Sequence, residues 1–195
     1  GSEIRVKGVP DLKVSLGQVA HAVAGTPGYA LPGGIEPGME ATKNFMTDDL
    51  TFVNGTAAVE VEVDPETGKV SFVKYVIVHD CGTVVNPMIV DGQVIGGTAH
   101  GIGNALFEWM GYDEDANPVT TNFGEYLLPS APEMPNFDIQ FLQSPSPLNP
   151  LGVKGAGEGS TVPAAAAVIS AIEDALTPFG VHIAETPITP ARIVT

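Results

Sequence analysis

Residues Ala57–Asp64 read AAVEVEVD, and this alternation constrains the fold more than any other stretch of the chain. Val59, Val61 and Val63 fall on one side, and Glu60, Glu62 and Asp64 on the other. That is the period of two of a strand with one dry and one wet face. Pro65–Lys69 (PETGK) reads as a turn and Val70–Asp80 (VSFVKYVIVHD) as the return strand, so the spacing predicts a hairpin. Two helical segments accompany it. Asn86–Met110 starts with a capping Asn86 and with Pro87 at its first position, where the missing N–H has no helical partner. It carries Gly92, Gly96, Gly97, Gly101 and Gly103, each costing about 1 kcal/mol relative to Ala. Close approach of another backbone, or of a bulky ligand, would account for them. The second helix is Thr161–Leu176 (TVPAAAAVISAIEDAL), with Ser160 and Thr161 as capping residues and Pro163 in its first turn. Phe137–Pro147 suggests a strand that ends in a Pro-rich crossover, and a short strand near Val181–Ala184 follows the last helix. The fold class is α+β: a β-hairpin-containing mixed sheet packed with a glycine-rich helix and a C-terminal helix. Residues 1–50 read as an irregular N-terminal arm without a core of its own, with a loop at Gly25–Gly38 and a short helix within Leu12–Ala24. Residues 51–195 hold the main subdomain.

The charge balance narrows the function. Net charge is −15 with only 8 Lys+Arg, which argues against nucleic-acid or anionic-membrane partners, since both need basic patches. No apolar run is long enough to insert in a membrane. Cys81 stands alone, which excludes an intrachain disulfide and points to a reducing, cytoplasmic setting.

The chemistry gathers at Gly152–Ser160 (GVKGAGEGS), which places one carboxylate, Glu158, among glycines at the mouth of a helix. Such a loop offers free backbone amides and positive dipole charge to a ligand rich in acceptors. A plainer account makes Glu158 a solvent-facing carboxylate that complements the helix dipole, worth about 0.3–1 kcal/mol. A dinucleotide fingerprint fails on spacing, because Gly155, Gly157 and Gly159 give G-x-G-x-G, and a P-loop fails for want of Gly-Lys-Ser/Thr. His21, His79, His100 and His182 lack zinc-type spacing, so no metal ligand is assigned. No nucleophile-elbow sequence is present.

Several ordered segments resemble the C-terminal part of the molybdopterin-binding large subunit of the molybdenum hydroxylases, the xanthine oxidase, aldehyde oxidoreductase and aerobic carbon monoxide dehydrogenase family. They are TFVNGTAAVEVEVDPETGKV, DCGTVVNPMIVDGQVIGGTAHGIGNALFE, EYLLPSAPEMP and SPSPLNPLGVKGAGEGS, in that order, over roughly Leu50–Pro190. The segments are expected to match the carbon monoxide dehydrogenase-like bacterial branch better than the others. Position by position, the resemblance implies that Glu158 is the general base beside the molybdenum and that Gln93 hydrogen-bonds the pterin. Ala156 and Gly157 would line the cofactor; Lys154, Gly155 and Ser160 join them by adjacency. The implied cofactor is molybdenum-molybdopterin in its cytosine dinucleotide form. Iron–sulfur clusters and FAD would lie on partner chains or domains, since one cysteine cannot hold a cluster.

The implied reaction is oxidative hydroxylation of an aldehyde, an N-heterocycle or a similar small molecule. The implied partners are the remainder of the large subunit, an iron–sulfur subunit and an FAD subunit. The family's large subunit is several times longer, so the expectation is a fragment or one chain of a split subunit, inactive in isolation. The alternative is a catalytically silent assembly or interaction domain that keeps the fold.

Overall fold

The computed structural model describes residues 3–25, 27, 30–47 and 49–194. The chain forms two compact units, Gly1–Met46 and Thr47–Thr195.

The first unit is not irregular throughout. Strand β1 (Glu3–Val6) pairs antiparallel with β2 (Val9–Ser15), and Gly8 turns between them at φ 87°. Helix α1 (Leu16–Ala22) follows directly. Its capping box is complete: Gln18 N–H donates to Ser15 Oγ at 3.1 Å, and Ser15 N–H donates to Gln18 Oε1 at 2.8 Å. The helix expected within Leu12–Ala24 is therefore real only from Leu16 onward, and its first part is strand. The signal was the alternation of Ile4 and Val6 with Glu3, Arg5 and Lys7, followed by Gly8. No described residue of this unit is fully buried. Of the expected Gly25–Gly38 loop, Thr26, Gly28 and Tyr29 lie outside the described residues.

The second unit carries the predicted hairpin. Strand β3 (Asn54–Val63) pairs antiparallel with β4 (Val70–Asp80), from Val63↔Val70 to Asn54↔Asp80, with a register shift at Glu60/Val61. Ala57, Val59, Val61 and Val63 turn inward, whereas Glu60 and Glu62 are exposed. Helix α2 (Pro87–Leu106) opens as expected, with Ile89 N–H donating to Asn86 Oδ1 at 3.3 Å. It stops at Leu106 rather than Met110, because the N–H groups of Phe107 and Glu108 both turn back onto the Gly103 carbonyl. Strand β5 (Phe137–Phe141) then lies parallel to β4, giving the order β3-β4-β5. A parallel pair needs a crossover, and α2 supplies it. The sheet is thus mixed and the class α+β.

Helix α3 (Thr161–Ala175) packs on α2 and β3. No strand forms at 181–184; the chain closes instead with α4 (Pro190–Val194). The core joins Tyr75 and Ile77 of β4, Val94, Ile102 and Ala105 of α2, and Val168 and Ile172 of α3. Steps of eight and three along α2 and of four along α3 keep those side chains on one face of each helix.

The glycines of α2 divide into two groups. A Cβ at Gly97 would meet Thr161 Oγ1 at 2.9 Å, and one at Gly101 would collide with the Ala164 Cβ, so these two let α3 approach. A Cβ at Gly103 would strike Glu108. Gly92 and Gly96 meet nothing within 4 Å. Backbone approach thus explains part of the set.

Candidate functional site

The Gly152–Ser160 loop begins as a short ladder beside the end of β4. Thr83 N–H donates to the Gly152 carbonyl at 3.0 Å, Lys154 N–H donates to the Cys81 carbonyl at 2.8 Å, and Gly82 bridges Val153 antiparallel. Gly82 and Gly152 both have positive φ, 70° and 68°. A Cβ at Gly82 would collide with the Gly152 carbonyl, so the ladder requires glycine there. Asn149 closes the preceding turn: Val153 N–H donates to its Oδ1 at 3.0 Å, and its Nδ2 donates to the Val153 carbonyl at 2.8 Å.

Lys154 does not reach outward. Its Nζ lies 3.0 Å from Asp80 Oδ2, and both side chains are 12% exposed. Asp80 Oδ1 accepts from Gly82 N–H at 2.9 Å and from Ser144 N–H at 3.1 Å. Burial alone would push the Asp80 carboxyl up; the two backbone N–H groups and the Lys154 ammonium outweigh it and bring it down to about 2. From the sequence, Asp80 reads as a structural residue rather than a metal ligand, since its neighbours His79 and Cys81 face the other way along the strand. Its local signal was an Asp two residues before Gly82, the pattern of an Asx turn.

The far end of the loop rests on β4 as well. A Cβ at Gly159 would meet His79 Cε1 and Val53 Cγ1, each at 2.8 Å. His79 is 1% exposed, lies edge-on to Phe141, and has its pKa lowered by burial against the opposing pull of Asp80. Ser160 is buried, but it does not cap α3 with its side chain, and its Oγ has no partner. A capping hydroxyl accepts from the second or third helical N–H. Here Val162 N–H already donates to the Glu158 carbonyl at 3.3 Å, as Thr161 N–H does at 3.0 Å, and Pro163 has none.

Between these ends the backbone is open. Among the described residues, the N–H groups of Gly155, Ala156, Gly157, Glu158 and Gly159 donate to no acceptor of the chain. A Cβ at Gly157 would meet nothing within 4 Å, and the Glu158 side chain is exposed. Gln93 is exposed too. It lies one helical turn before Gly97, which touches Ser160 and Thr161. Gln93 thus lies about one helical turn from the α2 glycine that packs on the start of α3. Two cavities of about 280 Å³ and 400 Å³, beside Val181–Ile188 and between Lys69–Phe72 and Pro132–Pro135, include none of these residues. Among the described residues no helix is long and apolar enough to cross a membrane.

A donor-rich, side-chain-poor loop beside an exposed amide and carboxylate can hold an acceptor-rich ligand and move a proton at its edge. Residues 2–135 match the family model described as "Molybdopterin cofactor-binding domain". The chain is 43% identical to the nicotine 6-hydroxylase large subunit of Paenarthrobacter nicotinovorans over 189 residues, 97% of this chain and 23% of that protein. It is 33% identical to the carbon monoxide dehydrogenase large chain of Afipia carboxidovorans, over 88% of this chain and 21% of that one. Among solved structures, quinoline 2-oxidoreductase from Pseudomonas putida 86 superposes with a TM-score of 0.88 at 40% identity, covering 98% of this chain and 24% of that one. The Cu,Mo-CO dehydrogenase superposes with a TM-score of 0.85 at 30% identity, over 99% of this chain and 24% of its own. The chain thus spans about a quarter of the length of these relatives.

Proposed function

The chain belongs to the molybdopterin cofactor-binding domain family of molybdenum hydroxylase large subunits, and from that premise we propose that it forms one wall of the cofactor pocket and carries the catalytic base. The observation that carries this reading is the run of five unpaired N–H groups, Gly155–Gly159, with Glu158 inside it at the positive end of α3. A phosphate-bearing pterin fits such a run, because its oxygens accept from backbone N–H groups and glycine lets them come close. Lys154 turns inward to Asp80, so its part in this wall is through its backbone; Ser160 is buried beneath it. Gln93 offers one carbonyl and two N–H donors, which suits the edge of a pterin ring. When bound, the cofactor supplies the redox chemistry of the hydroxylation.

The chain's own residues handle position and protons. Glu158 accepts a proton at its carboxylate, and the two N–H groups on its carbonyl hold its backbone at the helix mouth. Ala156 and Gly157 leave room on the cofactor side. The substrate class is an aldehyde, an N-heterocycle or a similar small molecule; two of the relatives are named for nicotine and quinoline, both N-heterocycles. The cofactor takes the cytosine dinucleotide form. The remainder of the large subunit would cover the exposed loop, and iron–sulfur and FAD subunits in the cytoplasm would supply the electron-transfer chemistry.

The test is Glu158→Gln in the intact enzyme. Turnover falls by about 100-fold or more, the range of general-base loss, while molybdenum and pterin contents stay at wild-type levels. Near-normal turnover at full cofactor loading refutes the role.

A further inference from the structure

We propose that Asp80 and Lys154 are positioning residues for Glu158: their buried ion pair clamps the near end of the glycine loop and so fixes where the exposed carboxylate stands. The inference rests on the reading of Glu158 as the base. Its support is geometric. Two side chains of β4 hold the loop with four residues between them, Asp80 at Lys154 and His79 at Gly159. Both holds come from consecutive residues at the end of β4. Between them, Gly155, Ala156 and Gly157 have no hydrogen bond through their N–H groups among the described residues, and a Cβ at Gly157 would meet nothing within 4 Å. Glycine backbone is permissive, so residues 155–157 do not themselves restrain Glu158, whose carbonyl is tied only on the far side, to the N–H groups of Thr161 and Val162 at the start of α3. Its position is inherited from the two ends.

The pair is built for this task. Asp80 is saturated: Oδ1 takes the N–H groups of Gly82 and Ser144, and Oδ2 takes Lys154 Nζ. One carboxylate thereby ties the end of β4, the segment after β5 and the start of the loop, across 64 and 74 residues of sequence. The far hold is of another kind. Gly159 meets His79 and Val53 by packing alone, without a hydrogen bond through its N–H. Releasing the ion pair leaves the near end to its backbone ladder, chiefly the Lys154 N–H on the Cys81 carbonyl, and the far end to the bonds of the Glu158 carbonyl with α3.

The experiment uses the intact multisubunit enzyme with Lys154→Met, the charge-free double variant Asp80→Asn/Lys154→Met, and Lys154→Arg. Hydrogen exchange of the segment 153–162 reports the clamp directly, and molybdenum content, kcat and KM report the consequence. Lys154→Met and the double variant speed exchange at the bonded amides of Lys154, Thr161 and Val162. They lower kcat about ten-fold to a hundred-fold, the effect of a misplaced catalytic group, with KM within about two-fold and molybdenum retained. Lys154→Arg, which keeps the charge near Asp80, recovers most of kcat. The double variant removes both charges, so it stays folded where Lys154→Met leaves Asp80 unpaired. Unchanged exchange, or faster exchange with wild-type kcat, overturns the proposal. So does recovery of kcat in the double variant, which would reduce the pair to a matter of buried charge. Glu158→Gln, measured alongside, keeps the two readings apart: its turnover tests the base, while exchange in the Lys154 variants tests the clamp.

Discussion

Two glycines of α2 five residues apart, Gly96 and Gly101, respond in opposite directions to the same added methyl group. At Gly101 a Cβ collides with the Ala164 Cβ and lies 3.1 Å from the Thr161 carbonyl oxygen and 3.4 Å from Ala164 Cα. Two of these three are backbone atoms and the third is attached to it, so relief requires α2 and α3 to separate. Overpacking of that kind costs about 1–3 kcal/mol. The exchange of Gly for Ala inside a helix returns about 0.8–1 kcal/mol. Gly101→Ala is therefore neutral to destabilised by about 2 kcal/mol. At Gly96 nothing lies within 4 Å, so only the helix gain remains and Gly96→Ala is more stable by up to about 1 kcal/mol. The two variants differ by about 1–3 kcal/mol, with Gly96→Ala on top. Urea unfolding of the chain, followed by far-UV circular dichroism, reads the difference as a shift in midpoint at constant slope. A Gly101→Ala midpoint equal to or above that of Gly96→Ala refutes the argument that α3 is seated on this glycine.

Asp80 gives the fold an acid-sensitive contribution. Its carboxyl is depressed from 3.8 to about 2, so the stabilisation is complete above 3.8 and disappears as pH falls through about 2. A gap near two units corresponds to about 2 kcal/mol. Asp80→Asn flattens the urea midpoint between about pH 4 and 2; an acid limb identical to wild type counts against the assignment. Gly157→Ala leaves the unfolding midpoint of the chain within about 0.5 kcal/mol, as befits a surface change, yet lowers the molybdenum and pterin content of the intact enzyme. Full cofactor content in that variant removes Gly157 from the pocket wall.

The sequence signals that proved readable were local ones. The β3–β4 hairpin was legible because Val59, Val61 and Val63 alternate with acids, and that pattern needs no distant partner. Asn86–Pro87 was legible because cap chemistry lies within four residues. The first strands were not, because the Gly- and Pro-rich stretch after residue 24 set the character of the whole segment and hid the alternation at Glu3–Lys7. Ser160 misled for a physical reason. A good cap residue needs a free N–H two or three places on; Val162 gives its own to Glu158, and Pro163 has none. Asp80–Lys154 was out of reach because its partners stand 74 residues apart. At the site, Glu158, Ala156, Gly157 and Gln93 were named from resemblance, whereas the residues that hold the loop and the α2–α3 contact beside them, Asp80, His79 and Gly97, emerge only once β4, α2 and α3 are packed.

The glycines that remain unexplained within the chain bear on what approaches it. Gly92, Gly96 and Gly157 do not have positive φ, and none would bring a Cβ within 4 Å of another atom. Neither backbone conformation nor intrachain packing calls for glycine at these positions, and in α2 each one costs about 1 kcal/mol of helix stability. A plain surface helix would be better served by alanine. These bare positions accompany Gln93 on α2 and Glu158 in the loop, the two exposed polar groups assigned to the cofactor wall. A dipole-complementing glutamate explains one carboxylate at a helix start and none of the glycines. A flat ligand lying against α2 and the loop, as proposed for the pterin, would account for them together: open space at the bare glycines, N–H groups without acceptors in the loop, and an exposed carboxylate and amide on the same two elements.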